Sequence, residues 1–349
     1  MKSFVLISGL LILFSCKQSN NTGNSTGDGQ GKKVYGSPKA NVTNTPNNQK
    51  QQGPLAYGPN VPKIQDGDTV VVKFDVSHKT FHVKKDVVMA AWLFGDSLPG
   101  PVLRVRVGQT IKFSMTNRTE DSAFSDMSLM MNMEMMKPMQ HSIDFHAGMV
   151  NPADKYRSIA PGETIDFVWT ANYPGVFMYH CGTPMVLMHM ISGMVGMVIV
   201  EPEDGFPGKV DREIAIVQNE YYLKQTGSIY RADTAMALFR QPNYVAFNGK
   251  VNQYTLRPIQ VKAGERIRVY FLNVGPNNIS SFHIIGTIMD KVWLDGNPAN
   301  QFVGMQAALV GPAQGAIIEF VLPEKGSYTF LDHSFANASL GAAGEFLAE

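Results

Sequence analysis

An internal repeat restricts the fold of this chain more than any other feature. VRVGQTIKFSMTN at residues 105–117 aligns with VKAGERIRVYFLN at 261–273, and GVFMYHC at 175–181 aligns with GSYTFLD at 326–332. The two offsets, 156 and 151 residues, are nearly equal, so the chain holds two copies of one unit. Each copy is built of short runs such as TVVVKFDV, GETIDFVWTA, GMVGMVIVEP and GAIIEFVLP, bounded by Gly, Pro, Asn and Asp. No long segment keeps a helical period, and strands at this spacing with turn signals between them read as sandwiches. The expected fold is all-β, with two similar β-sandwich domains, 59–205 and 206–349, joined near EPEDGFPGK at 201–209. A chain of 349 residues is long enough for both.

Ahead of the repeat, Lys2 precedes an apolar run from Phe4 to Phe14 that ends in LFSC, Leu13 to Cys16. The run is too short to span a bilayer and reads as a signal peptide over residues 1–16. LFSC resembles the bacterial lipobox, which implies that Cys16 becomes the lipid-carrying first residue. The protein is then exported to the periplasm or cell envelope and held to the membrane by an N-terminal lipid anchor. Residues 17–58 are rich in Asn, Gly, Ser, Thr and Gln and bury too little to offset the entropy of ordering, so they read as a disordered tether. Cys181 is left as the sole thiol of the folded part, which excludes an intrachain structural disulfide there. A formal net charge of +1 gives no electrostatic reason to expect nucleic acid.

The repeat also locates an insertion. Between Asn117 and His141 lie 23 residues, but between Asn273 and His283 only 9. The excess nearly equals MSLMMNMEMMKPM, Met127 to Met139, which holds seven methionines. Methionine fills irregular gaps, so the segment reads as an adaptable apolar loop; a thioether surface for Cu(I) or a partner is the sharper reading.

Of eight histidines, His78 and His82 read as ordinary core or surface residues of a strand. The other six lie beside Cys181, in HSIDFH, or at matching places in the second half. In an extended YHC, His180 and Cys181 point to opposite faces. In HSIDFH, His141 and His146 diverge while Asp144 and His146 share a face. One face thus collects His141 and Cys181, the other Asp144, His146 and His180. With His189 and Met194 added, the first face offers two imidazoles, a thiolate and a thioether, the donor set of a blue-copper electron-transfer centre. Zinc is the alternative, but structural zinc rarely uses methionine.

HSIDFH, YHC, HMISGM, SFHIIG and LDHS, taken together from about residue 65 onward, resemble the motifs of two-domain copper-containing nitrite reductases. That resemblance implies tandem Greek-key cupredoxin sandwiches assembled as a homotrimer. It implies that His141, Cys181, His189 and Met194 bind a type 1 copper, and that His146 and His180, with His333 of the partner subunit, bind a type 2 copper. Asp144 and His283 would be the catalytic acid pair and Ile285 the apolar side chain over the substrate, nitrite, which is reduced by one electron to nitric oxide. The electron donor would be a small cupredoxin or c-type cytochrome. Asp332 stands where the first half has Cys181, so the second domain is expected to have no type 1 site and to lend His333 across an interface.

The chain departs from the family in places. The interval from Cys181 to His189 has the shorter form seen in one branch, Met188 stands where many members have tryptophan, and AGMVNPADKYRS follows His146 in place of a small, Gly-rich segment. The sequence ends at Glu349 without the longer tail that packs on the next subunit in many relatives. A laccase-like oxidase would need His-X-His pairs, and none occurs. An exported, non-enzymatic copper-binding or electron-transfer lipoprotein would account for the first donor set but not the second. A related copper oxidase acting on another small oxidant would use the same residues.

Overall fold

Strand alternation builds the first sandwich. The structure, a computed structural model, describes residues 53–120 and 138–349. The signal peptide with Cys16, most of the tether and residues 127–137 of the methionine-rich insertion lie outside the described residues. Along Thr69–Lys84, Val70, Val72, Phe74 and Val76 are buried while Val71, Lys73 and Asp75 face solvent, the period of two that a sheet with one wet face requires. This strand lies parallel to Thr110–Asn117, which pairs antiparallel with Thr164–Thr170. In the second half Arg212–Tyr221 lies parallel to Arg266–Gly275, which pairs antiparallel with Gln314–Val321.

The facing sheets repeat as well. Val102–Arg106 runs parallel to Val195–Glu201, as Ile259–Val261 does to Ala343–Ala348. Gly175–His180 then joins the first pair and Gly326–Asp332 the second, both antiparallel. Equivalent side chains do equivalent work. Gly108 and Gly264 enter matching strands with φ of 87° and 83°, a region that disfavours any side chain. Asn117 and Asn273, both fully buried, each tie together two backbone segments with one side-chain amide. Asn117 Nδ2 donates to the carbonyls of Met139 and Ile159 at 2.8 and 3.1 Å. Asn273 Nδ2 donates to those of Asn278 and Val310 at 2.8 and 3.0 Å. Each asparagine thereby anchors the chain just ahead of a histidine motif.

Each sandwich has its own core, one around Phe74, Phe113, Phe145 and Tyr179, the other around Phe247, Phe271, Phe282 and Phe330. A third apolar layer, with Val176, Met178, Met197, Tyr270, Trp293 and Ile317, lies between the two sandwiches. The Gly175–His180 strand is therefore covered on both sides: Phe177 and Tyr179 pack with the first core, Val176 and Met178 with the layer between the sandwiches. The chain beyond residue 205 does not stay wholly in the second sandwich. The hairpin Leu223–Thr226 and Ile229–Ala232 adds to the edge of the first, with Tyr230 opposite Met89. Leu223 and Tyr221 join Met89, Ala91 and Leu93 in a further apolar cluster, and burial of that surface gives the pairing its reason.

Candidate metal centres

At the end of Gly175–His180 the alternation carries Cys181 into the first core, where it has no solvent exposure. His141 and His189 meet it there, equally buried. His189 Nδ1 lies 3.2 Å from Cys181 Sγ, His141 Nδ1 lies 3.9 Å from the same sulfur, and the two Nδ1 atoms are 3.2 Å apart. A short helix, Val186–Ile191, presents His189, and Gly193 turns the chain back. At Gly193 φ is +119°, and a Cβ would come within 2.5 Å of Leu98 and 2.9 Å of the Trp92 carbonyl, so only glycine fits. The turn brings Met194, fully buried, beside the cysteine: Cys181 N donates to Met194 O at 3.2 Å. Ser142 N donates to the sulfur at 3.3 Å.

Burial sets the protonation of this group. It presses His189 down to about 4 and, helped by His78 and His189 nearby, holds His141 well below the usual imidazole range. It pushes the Cys181 thiol up, against hydrogen bonds from Thr183 and Ser142. Two neutral imidazoles and a sulfur converge in a dry pocket with a thioether residue alongside and no carboxylate. That donor set fits copper and not a hard cation such as calcium or magnesium.

The second group faces the other way. Asp144 is registered opposite His180 in an antiparallel pair, and His146 follows just past the end of that short strand. His146 Nε2 and His180 Nε2 are 3.1 Å apart, with Asp144 Oδ2 at 3.8 Å from His180 Nε2. His180 Nδ1 lies 2.9 Å from the carbonyl oxygen of Cys181, to which it donates, so its Nε2 is left bare toward His146. Burial and the neighbouring His180 lower His146, against the pull of Asp144. Tyr156 holds the loop that carries His146, its hydroxyl donating to the carbonyls of Phe145 and Gly148 at 3.0 and 3.4 Å.

His283 and His333 are not part of either group within the chain. They pair in the second sandwich, with ring centroids 5.3 Å apart, and His283 Nδ1 donates to the Gln306 carbonyl. Ile285, just past the end of the Ser280–Ile284 strand that carries His283, is half exposed at 51%. Asp332, the counterpart of Cys181, has both oxygens occupied: Oδ1 accepts from Ser281 N and Ser334 N, Oδ2 from Gln218 and Asn337, all at 2.8–3.0 Å. No donor is left there for a metal.

Known proteins are similar to this chain over most of its described length. A multicopper oxidase family model matches residues 75–205. The copper-containing nitrite reductase of Neisseria meningitidis serogroup A is 36% identical over 303 residues, covering 84% of this chain and 74% of that protein. The chain belongs to the copper-containing nitrite reductase family. A second member of the family, from Pseudomonas chlororaphis, is 29% identical over 82% of this chain and 81% of its own length. The solved copper nitrite reductase from Nitrosomonas europaea superposes with a TM-score of 0.70 at 34% identity, covering 80% of this chain and 94% of that one.

In this nitrite reductase chain His78 is a buried core residue of its strand, as read, but with a specific partner the sequence did not name: its Nε2 lies 2.8 Å from His141 Nε2, and its ring stacks on Trp92. The alternation of Val70, Val72, Phe74 and Val76 already places position 78 on the inner face, so the signal was present. What it faces, 63 residues away in sequence, was not. His82 is exposed on the same strand, as expected.

Proposed function

We propose that this chain reduces nitrite to nitric oxide, each nitrite consuming one electron and two protons and releasing one water. The observation that carries the reading is the adjacency of His180 and Cys181, which sets a buried sulfur–imidazole group and a half-exposed imidazole–carboxylate group back to back. His141, Cys181, His189 and Met194 hold the type 1 copper; His146, His180 and His333 of the partner subunit hold the type 2 copper. Copper bound there supplies single-electron transfer at the first site and, at the second, both the electron and the Lewis acidity that nitrite needs. The backbone from Cys181 to His180, reinforced by the hydrogen bond from His180 Nδ1 to Cys181 O, joins the two sites by the shortest covalent route the sequence offers. Asp144 and His283 of the partner subunit, which stands beside His333 on the same sandwich, hand protons to the departing oxygen, and the partner subunit's Ile285 limits the room above it.

The trimer is part of the reading. His283 and His333 lie on a surface where Ile285, Leu309 and Phe335 expose 51%, 65% and 61% of their area, apolar side chains that a second copy would cover. The type 2 ligands come from both copies only in such an assembly. Nitrite arrives from the cell envelope, where the LFSC motif supports a lipid anchor at Cys16, and electrons arrive from a small cupredoxin or c-type cytochrome.

Copper counting with electron paramagnetic resonance on the purified protein, followed by an assay of nitric oxide from nitrite, tests the proposal. Two coppers of different type per chain and nitrite-dependent nitric oxide are expected. Copper at the cysteine site with no nitric oxide would leave an electron carrier.

A further inference from the structure

The remote nitrogen of His141 faces away from the sulfur. His141 Nε2 lies 2.8 Å from His78 Nε2, and neither side chain has any solvent exposure. Two imidazole nitrogens at that distance need one proton between them, since two bare nitrogens repel and two N–H groups collide. His141 turns Nδ1 toward Cys181 Sγ and His189 Nδ1. Nδ1 is thus the nitrogen kept bare for a metal, Nε2 carries the hydrogen, and His78 Nε2 accepts it. The His78 ring is held in place: it stacks on Trp92 with centroids 5.2 Å apart and planes at 21°. Trp92 itself lies against both ligand rings, 5.5 Å from His141 and 4.9 Å from His189.

We propose that His78 is a positioning residue for the buried copper, fixing the tautomer and orientation of His141 and making its Nδ1 a stronger donor. The proposal rests on the reading that copper sits among His141, Cys181 and His189. Behind a metal-binding histidine the acceptor is commonly a carboxylate or a backbone carbonyl. A neutral imidazole does the same work without placing a second anion in a dry core, where an unpaired charge is costly. A stronger imidazole donor favours the more highly charged copper, so His78 lowers the reduction potential of the site.

The test compares copper-loaded wild type, His78→Leu and His78→Gln. Loss of the acceptor in His78→Leu is expected to weaken Cu(II) binding at the cysteine site by roughly 10–100-fold, to raise its reduction potential and to shift its visible band. The carbonyl oxygen of glutamine accepts from His141 Nε2–H, so His78→Gln restores most of the affinity and the potential. Wild type that binds copper without any thiolate band overturns the reading beneath the proposal. A normal wild-type band together with unchanged affinity and potential in His78→Leu overturns the proposal alone. If His78→Leu does not fold, wild type itself answers: in the reduced, copper-loaded protein with 15N-labelled histidine, a nitrogen–nitrogen coupling across the His141–His78 hydrogen bond is expected. A bare His141 Nε2, or no coupling, rejects it.

Discussion

Asp144 keeps 37% of its side chain exposed, with one oxygen 3.8 Å from His180 Nε2, and is thus open both to solvent protons and to anything bound between the histidines. A positioned proton donor of this kind contributes about 10²–10⁴ in rate. Asp144→Asn is expected to lose much of that factor in nitrite turnover while its copper content and visible spectrum stay at wild-type levels; turnover near wild type at full copper content would remove Asp144 from the reaction. Cys181→Ser is expected to separate the sites in the opposite sense, with a colourless protein that retains copper at His146 and His180 by metal analysis and paramagnetic resonance; a strong visible band in that variant would remove Cys181 as a ligand. The division of donors between two faces was legible because a strand alternates with a fixed period, and YHC and HSIDFH each contain residues of both parities. His78 was legible only in part. Parity turns it inward, but its partner sits on a separate loop, and local sequence carries no record of a contact across the sandwich.

Among the elements, the strands that carry Asn117 and Asn273 show how a repeat positions chemistry. Asn117 satisfies the carbonyls of Met139 and Ile159, and Ile159 in turn exchanges backbone hydrogen bonds with His141 at 2.8 and 3.2 Å. Removing the amide takes a donor from the part-buried Met139 carbonyl and the buried Ile159 carbonyl and leaves the buried Thr119 N and Oγ1 without their acceptor, at about 1–3 kcal/mol. Asn117→Ala is accordingly expected to lower the denaturation midpoint and to loosen copper at the His141 site. Asn273→Ala should cost similar stability without touching that copper, a contrast read by titrating both variants with a Cu(I) chelator. The strands themselves could be read from alternation and from the two aligned blocks. The hairpin at 223–232 could not be assigned to a sheet, because Leu223–Thr226 shows no strict alternation, one residue buried, two exposed and one between. Its place is decided by the apolar surface it covers across the chain, not by its own pattern.

At the scale of the molecule, two histidines, His283 and His333, stand together on the second sandwich, apart from the Asp144–His146–His180 group of the same chain. If His333 serves a second copy, mixing subunits of His333→Ala with subunits of His146→Ala should restore type 2 sites and part of the activity in mixed trimers. Mixed trimers that form and stay inactive would argue against sharing. The sandwich edge completed by Ile229–Ala232 carries a different lesson, about folding. VVMAAWLF, residues 87–94, has seven of its eight side chains buried, and its outer edge is capped by chain that is translated more than 130 residues later. An uncapped apolar edge recruits other strands. With the apolar layer toward the second sandwich bare in both, a fragment ending at residue 205 is expected to sediment as aggregate at a lower concentration than one extended to residue 240, and equal sedimentation of the two would argue against the edge as the cause. Wherever the exported chain folds, a first sandwich that forms before Ile229–Ala232 docks has its edge open, so a chaperone that holds this strand until the hairpin arrives is the natural consequence of where that hairpin lies.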